Sequence, residues 1–278
     1  MASTTEKIEP EKKSRPGLAF AYSVPIGALG GLIGLGGAEF RLPILAGPLG
    51  FSASKAVPLN LAISLVTVAA SLAIRSQSLS LEPVWSYLPE ILALIGGAVS
   101  SAFWGAGLAR RISNKTLERI IFTFLTVIGL LLIVESMLPM ESQGLLPEIK
   151  AIRIAAGFSF GLLIGLVSSL LGVAGGELII PTLIFGYGVD IRTAGTASLL
   201  ISLPTILTGM SRYARKGAYS DNRQISGTVA PMGAGSVLGA VIGGLLVQAV
   251  PAQALKLILG IVLIISAYRV FHHSNQAK

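Results

Sequence analysis

Two glycine-rich segments of closely similar sequence interrupt the apolar stretches of this chain. Residues 172–181 read GVAGGELIIP, and residues 34–43 read GLGGAEFRLP. Glycine clusters allow positive φ and let other groups approach the backbone closely. Inside a bilayer such a break leaves backbone polar groups unpaired, so it is tolerated only where protein or a water-filled cavity surrounds it. Two breaks of one pattern therefore predict a functional site.

The composition predicts that these breaks lie in a membrane. Of the 278 residues, 53% are hydrophobic and 12% are charged, whereas soluble domains carry roughly 25% charged residues. The 33 glycines favour helices that pack closely through small side chains. Because the sequence has no cysteine, disulfides, thiolate metal sites and cysteine nucleophiles are excluded. We predict no cofactor and no metal.

Ten apolar segments follow a polar N-terminal stretch. They span 17–35, 40–50, 55–75, 87–109, 116–138, 154–174, 178–188, 193–211, 225–248 and 253–271. The second and the seventh are too short to cross a bilayer as straight helices, which takes about 20 residues. Each is therefore part of a broken helix pair or of a re-entrant hairpin.

The last five segments repeat the first five. Glu39 and Glu177 are 138 residues apart, and the same offset aligns other residues without a gap. The matches include Gly27 with Gly165, Gly37 with Gly175, Pro43 with Pro181, Gly50 with Gly188, Asn60 with Ser198, Ser64 with Ser202, Thr67 with Thr205, and Gly97 with Gly235. The chain is thus predicted to contain two copies of one unit.

The charge of the loops predicts that the two copies have opposite orientations. Loops 109–119 and 212–223 are basic, whereas the charged residues of 76–90 and 135–149 are all acidic. Lysine and arginine favour cytoplasmic loops, so the net charge of +8 reflects topology and indicates no nucleic-acid partner. Inverted repeats are typical of secondary transporters. We predict an all-α polytopic membrane protein with two inverted-topology repeats of about five helical segments each.

The same pattern divides the chain into five regions. Residues 1–16 are predicted to be a disordered cytoplasmic arm, and 272–278 a cytoplasmic tail. Residues 17–138 and 154–271 are the two transmembrane repeats, joined by an extracytoplasmic linker at 139–153. The glycine stripe Gly157, Gly161 and Gly165 on the sixth segment predicts a surface for helix packing.

Glu39 and Glu177 are the predicted coupling residues. Each follows a glycine break within apolar surroundings, where a carboxylate is costly and usually functional. A proton carried by either would couple transport to a pH gradient. The alternative is a structural glutamate, solvated at the interface or capping a helix. Pro43 and Pro181, four residues farther on, are predicted to mark hinges.

The predicted substrate site favours an anion. Residues after each break should start half-helices, whose N-terminal N–H groups and dipole favour anions. Arg41, Lys55 and Arg192 lie near these elements and would attract an anion, although each would also suit an interfacial, snorkelling position. The remaining candidates for contact with the substrate are Gly36, Gly37, Gly175, Gly176, Asn60, Thr196 and Ser198.

The repeated glycine-rich break followed by proline resembles the signature of the TauE/SafE family of sulfite and organosulfonate exporters, the four-toluene-sulfonate uptake permease type. The resemblance extends over about residues 17–270. It implies transport of small sulfur-containing anions, such as sulfite, sulfoacetate or other sulfonates, across the bacterial inner membrane. It also implies coupling to an ion gradient, for which we predict protons. Both termini would lie in the cytoplasm.

Two other functions stay open at this point. An anion channel or uniporter would use the same helix starts without a coupling group. A membrane-embedded enzyme is disfavoured because no metal-ligand cluster and no nucleophile with a base occurs in the sequence. The predicted partners are the small anion, protons and the lipid bilayer, and the glycine stripes would permit a homodimer.

Overall fold

The computed structural model describes residues 15–108, 114–137, 144–171 and 173–276, and it contains helices and no strands in these ranges. This confirms the prediction of an all-α protein. The helices are α1 Pro16–Leu29, α2 Ala38–Ala46, α3 Ala53–Ser78, α4 Glu82–Trp85, α5 Leu88–Leu108, α6 Asn114–Met137, α7 Lys150–Leu171, α8 Gly176–Pro181, α9 Ile191–Arg215, α10 Asn222–Gln224, α11 Ala230–Leu246 and α12 Ala252–Gln276. π-Helical turns extend α1 to Gly34 and α8 to Gly186, and another joins α10 to α11.

Several helices are suited to a bilayer. Five stretches of the described residues are long and apolar enough to span one: Pro16–Gly34, Lys55–Ser78, Lys150–Ser168, Ile191–Arg215 and Asn222–Leu246. Shorter apolar helical stretches occur at Leu88–Phe103, Phe122–Met137, Gly176–Gly186 and Ala252–Tyr268. The predicted polytopic membrane protein is therefore confirmed.

The two halves of the chain have the same order of helices and make the same contacts. Helix α3 begins at Ala53, and α9 begins 138 residues later at Ile191. Helix α1 packs on α11, and its counterpart α7 packs on α5, the counterpart of α11. Gly27 lies against the backbone of Ser236, while Gly165 lies against that of Ala98. These packing contacts between the halves are thus made twice, as an internal twofold axis requires.

The glycine stripe of α7 is buried against α5. A Cβ atom on Gly161 would overlap the carbonyl oxygen of Leu94, and one on Gly165 would overlap that of Ala98. Glycine at these positions lets the two backbones approach within the distance that small residues allow. The stripe is therefore a helix-packing surface, as predicted, but it is used within the chain and offers no surface to a second copy.

Helices α7 and α8 form a re-entrant hairpin. The N–H groups of Leu145 and Leu146, just before α7, donate to the carbonyl oxygens of Phe185 (2.8 Å) and Gly186 (3.0 Å), at the end of the α8 extension. The Tyr187 hydroxyl donates to the carbonyl oxygen of Arg153 in the first turn of α7 (2.9 Å). The hairpin therefore begins and ends on one side of the protein, and the short segment after the break does not cross.

The first-half hairpin of α1 and α2 returns to the opposite side. Ala19 near the start of α1 and Leu45 near the end of α2 share an apolar cluster with Ala56 of α3 and Met232 of α11. We call this the basic-loop side, because residues 212–223 lie beside it and Tyr219 donates to the Pro58 carbonyl oxygen (3.0 Å). The side that carries residues 79–90, 144–153 and 186–192 is the acidic-loop side.

Charged and aromatic groups hold the acidic-loop end of the second hairpin. The Arg153 guanidinium is buried and forms ion pairs with Glu90 (3.0 Å) and Glu148 (3.1 Å). It also lies over the rings of Tyr87 and Tyr187. Burial, followed by the nearby Glu90 carboxylate, raises the pKa of Tyr187 to about 12. The phenol therefore remains a hydrogen-bond donor to the backbone of α7 at any physiological pH.

The helix ends differ from several of the predicted boundaries. Helix α7 begins at Lys150, inside the stretch 139–153 that was predicted as a linker, and α12 extends to Gln276, through most of the predicted tail. The predicted arm 1–16 lies outside the described residues except for its last two.

Candidate functional site

The two glycine breaks meet at the centre of the protein. A Cβ atom on Gly36 would lie 2.6 Å from that of Ala174, which occupies the equivalent position in the second half. One on Gly176 would lie 3.1 Å from the Leu35 side chain. A residue contacts its own counterpart only on a twofold axis, so the axis that relates the two halves passes between the breaks.

Both breaks have the same backbone conformation. Gly37 has φ 66° and Gly175 has φ 80°, and each immediately precedes the half-helix that follows. Only glycine adopts this left-handed region without steric cost. Helices α2 and α8 therefore start at equivalent points, as the sequence predicts, and run from the centre to opposite sides with their N-termini facing each other.

Glu39 and Glu177 lie in the first turns of these half-helices. Glu177 is buried, with 7% of its surface exposed, and its carboxyl group lies beside that of Glu39. The two predicted coupling residues, separated by 138 positions in sequence, are thus neighbours at the internal axis. The helix N-termini place partial positive charge beside both.

Arg41, one turn after the first break, is fully buried, and all five of its N–H donors are used. Nε donates to Oδ1 of Asn60 (3.3 Å). The Nη1 atom donates to the hydroxyls of Thr67 (2.8 Å) and Ser236 (3.3 Å). The Nη2 atom donates to the hydroxyl of Ser64 (2.8 Å) and to the carbonyl oxygen of Gly36. In this arrangement no N–H of Arg41 remains for an anion.

The second half has no counterpart of this arginine. The equivalent residue is Ile179, which is buried in the apolar core. Ser202, the counterpart of Ser64, instead donates its hydroxyl to the Ala174 carbonyl oxygen (3.1 Å). The site is thus symmetric in backbone and in its glutamates but has a guanidinium in the first half only.

The other predicted residues are divided between the centre and the periphery. Ser198 faces Gly176, and its buried hydroxyl has no hydrogen-bond partner among the described residues, whereas the Thr196 hydroxyl donates to the Arg192 carbonyl oxygen (3.0 Å). Lys55 is exposed at the start of α3.

Arg192 donates to the carbonyl oxygens of Val247 (3.2 Å) and Val250 (2.9 Å) at the end of α11. Pro43 and Pro181 lie within the half-helices. The structure therefore brings together the four glycines, both glutamates, Arg41, Asn60 and Ser198, but not Lys55 or Arg192.

Three buried polar residues near the site were not among the residues predicted from the sequence. Ser236 of α11 accepts from Arg41, and Ser71 and Arg75 lie on α3, all with 0% of their surface exposed. The signal for Ser71 and Arg75 was the spacing 60, 64, 67, 71 and 75, which puts polar residues on one face of α3. Among the described residues no group of three or more His, Asp or Glu side chains is placed to hold a metal ion.

The chain matches one protein family over both repeats. The family described as Sulfite exporter TauE/SafE matches residues 2–132 and 157–278, nearly the whole chain and both repeats. This confirms the resemblance noted in the sequence. No curated protein matches the chain.

Proposed function

Because the chain belongs to the TauE/SafE sulfite exporter family of membrane transporters, we propose that it moves sulfite or a small organosulfonate by proton-coupled alternating access. The observation that carries this proposal is that the carboxyl groups of Glu39 and Glu177 lie side by side at the internal axis. The family supplies the class of substrate, namely sulfite or a related anion. The carboxyl pair supplies a means of coupling its movement to protons.

The chemistry of the pair follows from its geometry. Two ionised carboxylates side by side would repel each other strongly, whereas a proton shared between them removes that repulsion. The pair in this arrangement therefore holds at least one proton. A movement that separated the two half-helices would end this sharing and let that proton leave.

The substrate anion would compete with the same carboxylates. The starts of α2 and α8, with Gly36, Gly37, Gly175 and Gly176, place N–H groups and positive dipole ends at the centre. An anion can use these ends only when the glutamates do not, so anion binding favours the protonated pair. The partnerless hydroxyl of Ser198 is a further donor at this point, and Asn60 and Arg41 become available if their mutual bonds exchange.

The inverted repeat suggests how access would alternate. Each half-helix ends on a different side, α2 on the basic-loop side and α8 on the acidic-loop side. Movement of one hairpin about its glycine break, with Pro43 or Pro181 at its bend, would open the centre to that side only. The twofold relation makes the two openings equivalent, as in other transporters built from inverted repeats.

We place the basic-loop side in the cytoplasm of a bacterial cell, with both termini there and the chain in the inner membrane. Arg212, Arg215, Lys216 and Arg223 support this orientation, because short loops rich in lysine and arginine are retained in the cytoplasm.

The test is flux of radiolabelled sulfite into proteoliposomes with and without an imposed pH gradient. We expect gradient-driven accumulation by the wild type, and its loss in Glu177→Gln and Glu39→Gln, because an amide cannot carry a proton between the two sides. Glu82→Gln, which changes an exposed carboxylate of α4, is the matched control and should behave as wild type. Accumulation that persists in both central variants would refute the coupling role of the pair.

Counterflow separates a carrier from a channel. Unlabelled sulfite inside the vesicles should accelerate entry of labelled sulfite if the site alternates between the two sides. Equilibration without acceleration, unaffected by the pH gradient, would instead identify an anion channel or uniporter.

A further inference from the structure

A second buried arginine, Arg75, has no hydrogen-bond partner. It lies on α3 with 0% of its surface exposed, and none of its three guanidinium nitrogens forms a hydrogen bond within the described residues. Burying a charge without partners is costly, and such groups are normally paired or bound to an ion. A guanidinium in this position therefore requires an explanation other than packing.

Two glycines make room for the guanidinium. Gly34, at the end of the α1 extension, and Gly195, in the second turn of α9, flank it so closely that a Cβ atom on either would contact Nη1 of Arg75. Gly34 has φ 94°, which disfavours any other residue there. The backbone on both sides is thus shaped around the head group of Arg75.

The carboxylate of Asp190, which attracts Arg75, forms its hydrogen bonds with the start of α9. Asp190 attracts Arg75 electrostatically, and Arg192 repels it. The Oδ1 atom of Asp190, however, accepts from the N–H groups of Arg192 (3.0 Å) and Thr193 (3.1 Å) and so caps α9. Asp190 also lies at the exposed end of the helix. It therefore moderates the charge of Arg75 without forming a hydrogen bond to it.

A buried polar stripe connects Arg75 to the glutamate pair. Asn60, Ser64, Thr67, Ser71 and Arg75 recur every three or four residues along α3, and each has 0% of its surface exposed. The first three bind Arg41, whereas the hydroxyl of Ser71, like the guanidinium one turn beyond it, has no partner in the part of the chain that the structure describes. The stripe runs from the centre toward the acidic-loop side, where α3 ends at Ser78.

We propose that Arg75 and Ser71 form a second binding site for the transported anion, between the glutamate pair and the acidic-loop side. The guanidinium offers two parallel N–H donors to two oxygens of a sulfite or sulfonate group, and the serine hydroxyl donates to the third. This inference rests on the proposed function for the identity of the anion. It adds a relay position that an anion occupies before or after the central site.

The test uses an introduced thiol, because the natural sequence contains no cysteine. Full-length Ser71→Cys protein in proteoliposomes is treated with an anionic methanethiosulfonate reagent and, separately, with a cationic one of similar size. We expect the anionic reagent to react about tenfold faster, because a buried cation raises the local concentration of anions. In Ser71→Cys with Arg75→Gln this preference should disappear.

Protection by a substrate-like anion is the second readout. Methanesulfonate is the probe, because sulfite itself would cleave the disulfide that the reagent forms. It should slow modification at position 71 in the presence of Arg75 and have no effect with Arg75→Gln. Ser266→Cys is the matched control. Ser266 lies on α12, is also buried and has no hydrogen-bond partner within the described ranges, so its modification should not respond to the anion.

The two proposals fail in different ways. The Arg75 site is refuted if both reagents react equally with Ser71→Cys, if neither reacts, or if methanesulfonate gives no protection. None of these results bears on proton-driven flux through the wild-type protein. If flux proves independent of the glutamates, the proposed coupling fails. Protection at position 71, measured without a pH gradient and also with Glu177→Gln, would still support the anion site.

Discussion

Arg41 of α2 and Arg75 of α3 are equally buried, yet their surroundings are opposite. Arg41 donates through all five N–H groups to side chains of α3 and α11 and to the backbone of the first break. Arg75 donates to nothing within the described residues. A guanidinium whose N–H groups all form hydrogen bonds holds the joined helices in place. One whose N–H groups form none is able to bind an anion. The two arginines should therefore respond in opposite ways to the same replacement.

The largest effect should come from replacing each arginine with methionine, which keeps much of the side-chain volume. Arg41→Met removes the donor to the buried oxygens of Ser64, Ser236 and Gly36, at about 1–3 kcal/mol for each orphaned group. We expect the free energy of unfolding to fall by about 2–4 kcal/mol. Arg75→Met removes an uncompensated buried charge, so the protein without anion should be unchanged or more stable by about 1–4 kcal/mol.

Equilibrium unfolding in mixed micelles of a nonionic detergent and SDS measures both changes. The wild type provides the reference, and methanesulfonate should stabilise it but stabilise Arg75→Met less, because a ligand adds stability only where it binds the folded protein. Equal destabilisation by the two substitutions would mean that Arg75 is structural after all.

The sequence alone predicts the central symmetric features because their causes are local. A glycine with positive φ before a half-helix is a requirement of the backbone, and Gly37 and Gly175 meet it at equivalent positions. The paired glutamates follow from the same register. These features depend on few residues and are repeated, so the offset of 138 positions reveals them.

The asymmetric features depend on tertiary packing and are harder to predict. Arg41, Lys55 and Arg192 look alike in sequence, but only Arg41 points to the centre, while Arg192 binds the end of α11 and Lys55 is exposed. Arg75 ends an apolar segment, where an arginine usually snorkels to the interface. Its burial follows from the glycines of two other helices, Gly34 and Gly195, which no local pattern connects to it.

A smaller effect should come from filling the space beside Arg75. Gly195→Ala places a methyl group against the Ile33 carbonyl oxygen and the guanidinium, and overpacking of this kind costs typically about 1–3 kcal/mol. Gly209→Ala is the control on the same helix, because a Cβ atom there meets Leu61 at an ordinary 3.5 Å. It should be neutral or stabilise by up to about 1 kcal/mol, since alanine favours helix.

The same unfolding measurement compares the two alanine variants, and labelling at position 71 adds a functional readout. Gly195→Ala should also displace the guanidinium and reduce the preference for the anionic reagent, whereas Gly209→Ala should leave that preference intact. If Gly195→Ala were as stable as Gly209→Ala, the guanidinium would not occupy the space between the glycines.

The best-matched contrast lies within the stripe of α3. Ser64 and Ser71 are two turns apart and fully buried, but Ser64 accepts from Arg41 at 2.8 Å and Ser71 has no partner. Ser64→Ala leaves one N–H of a buried cation unpaired and should cost about 1.5–3 kcal/mol, the range for hydrogen bonds to charged groups. Ser71→Ala removes an unused hydroxyl and should change stability by less than about 0.5 kcal/mol, as at sites without a specific interaction.

The order of the two effects should reverse for the anion. Methanesulfonate should stabilise Ser71→Ala less than the wild type, and it should stabilise Ser64→Ala as much as the wild type. If methanesulfonate stabilised the two variants equally, Ser71 would not contact the anion. Ser71 would then serve only to hold α3 in place, as Ser64 does.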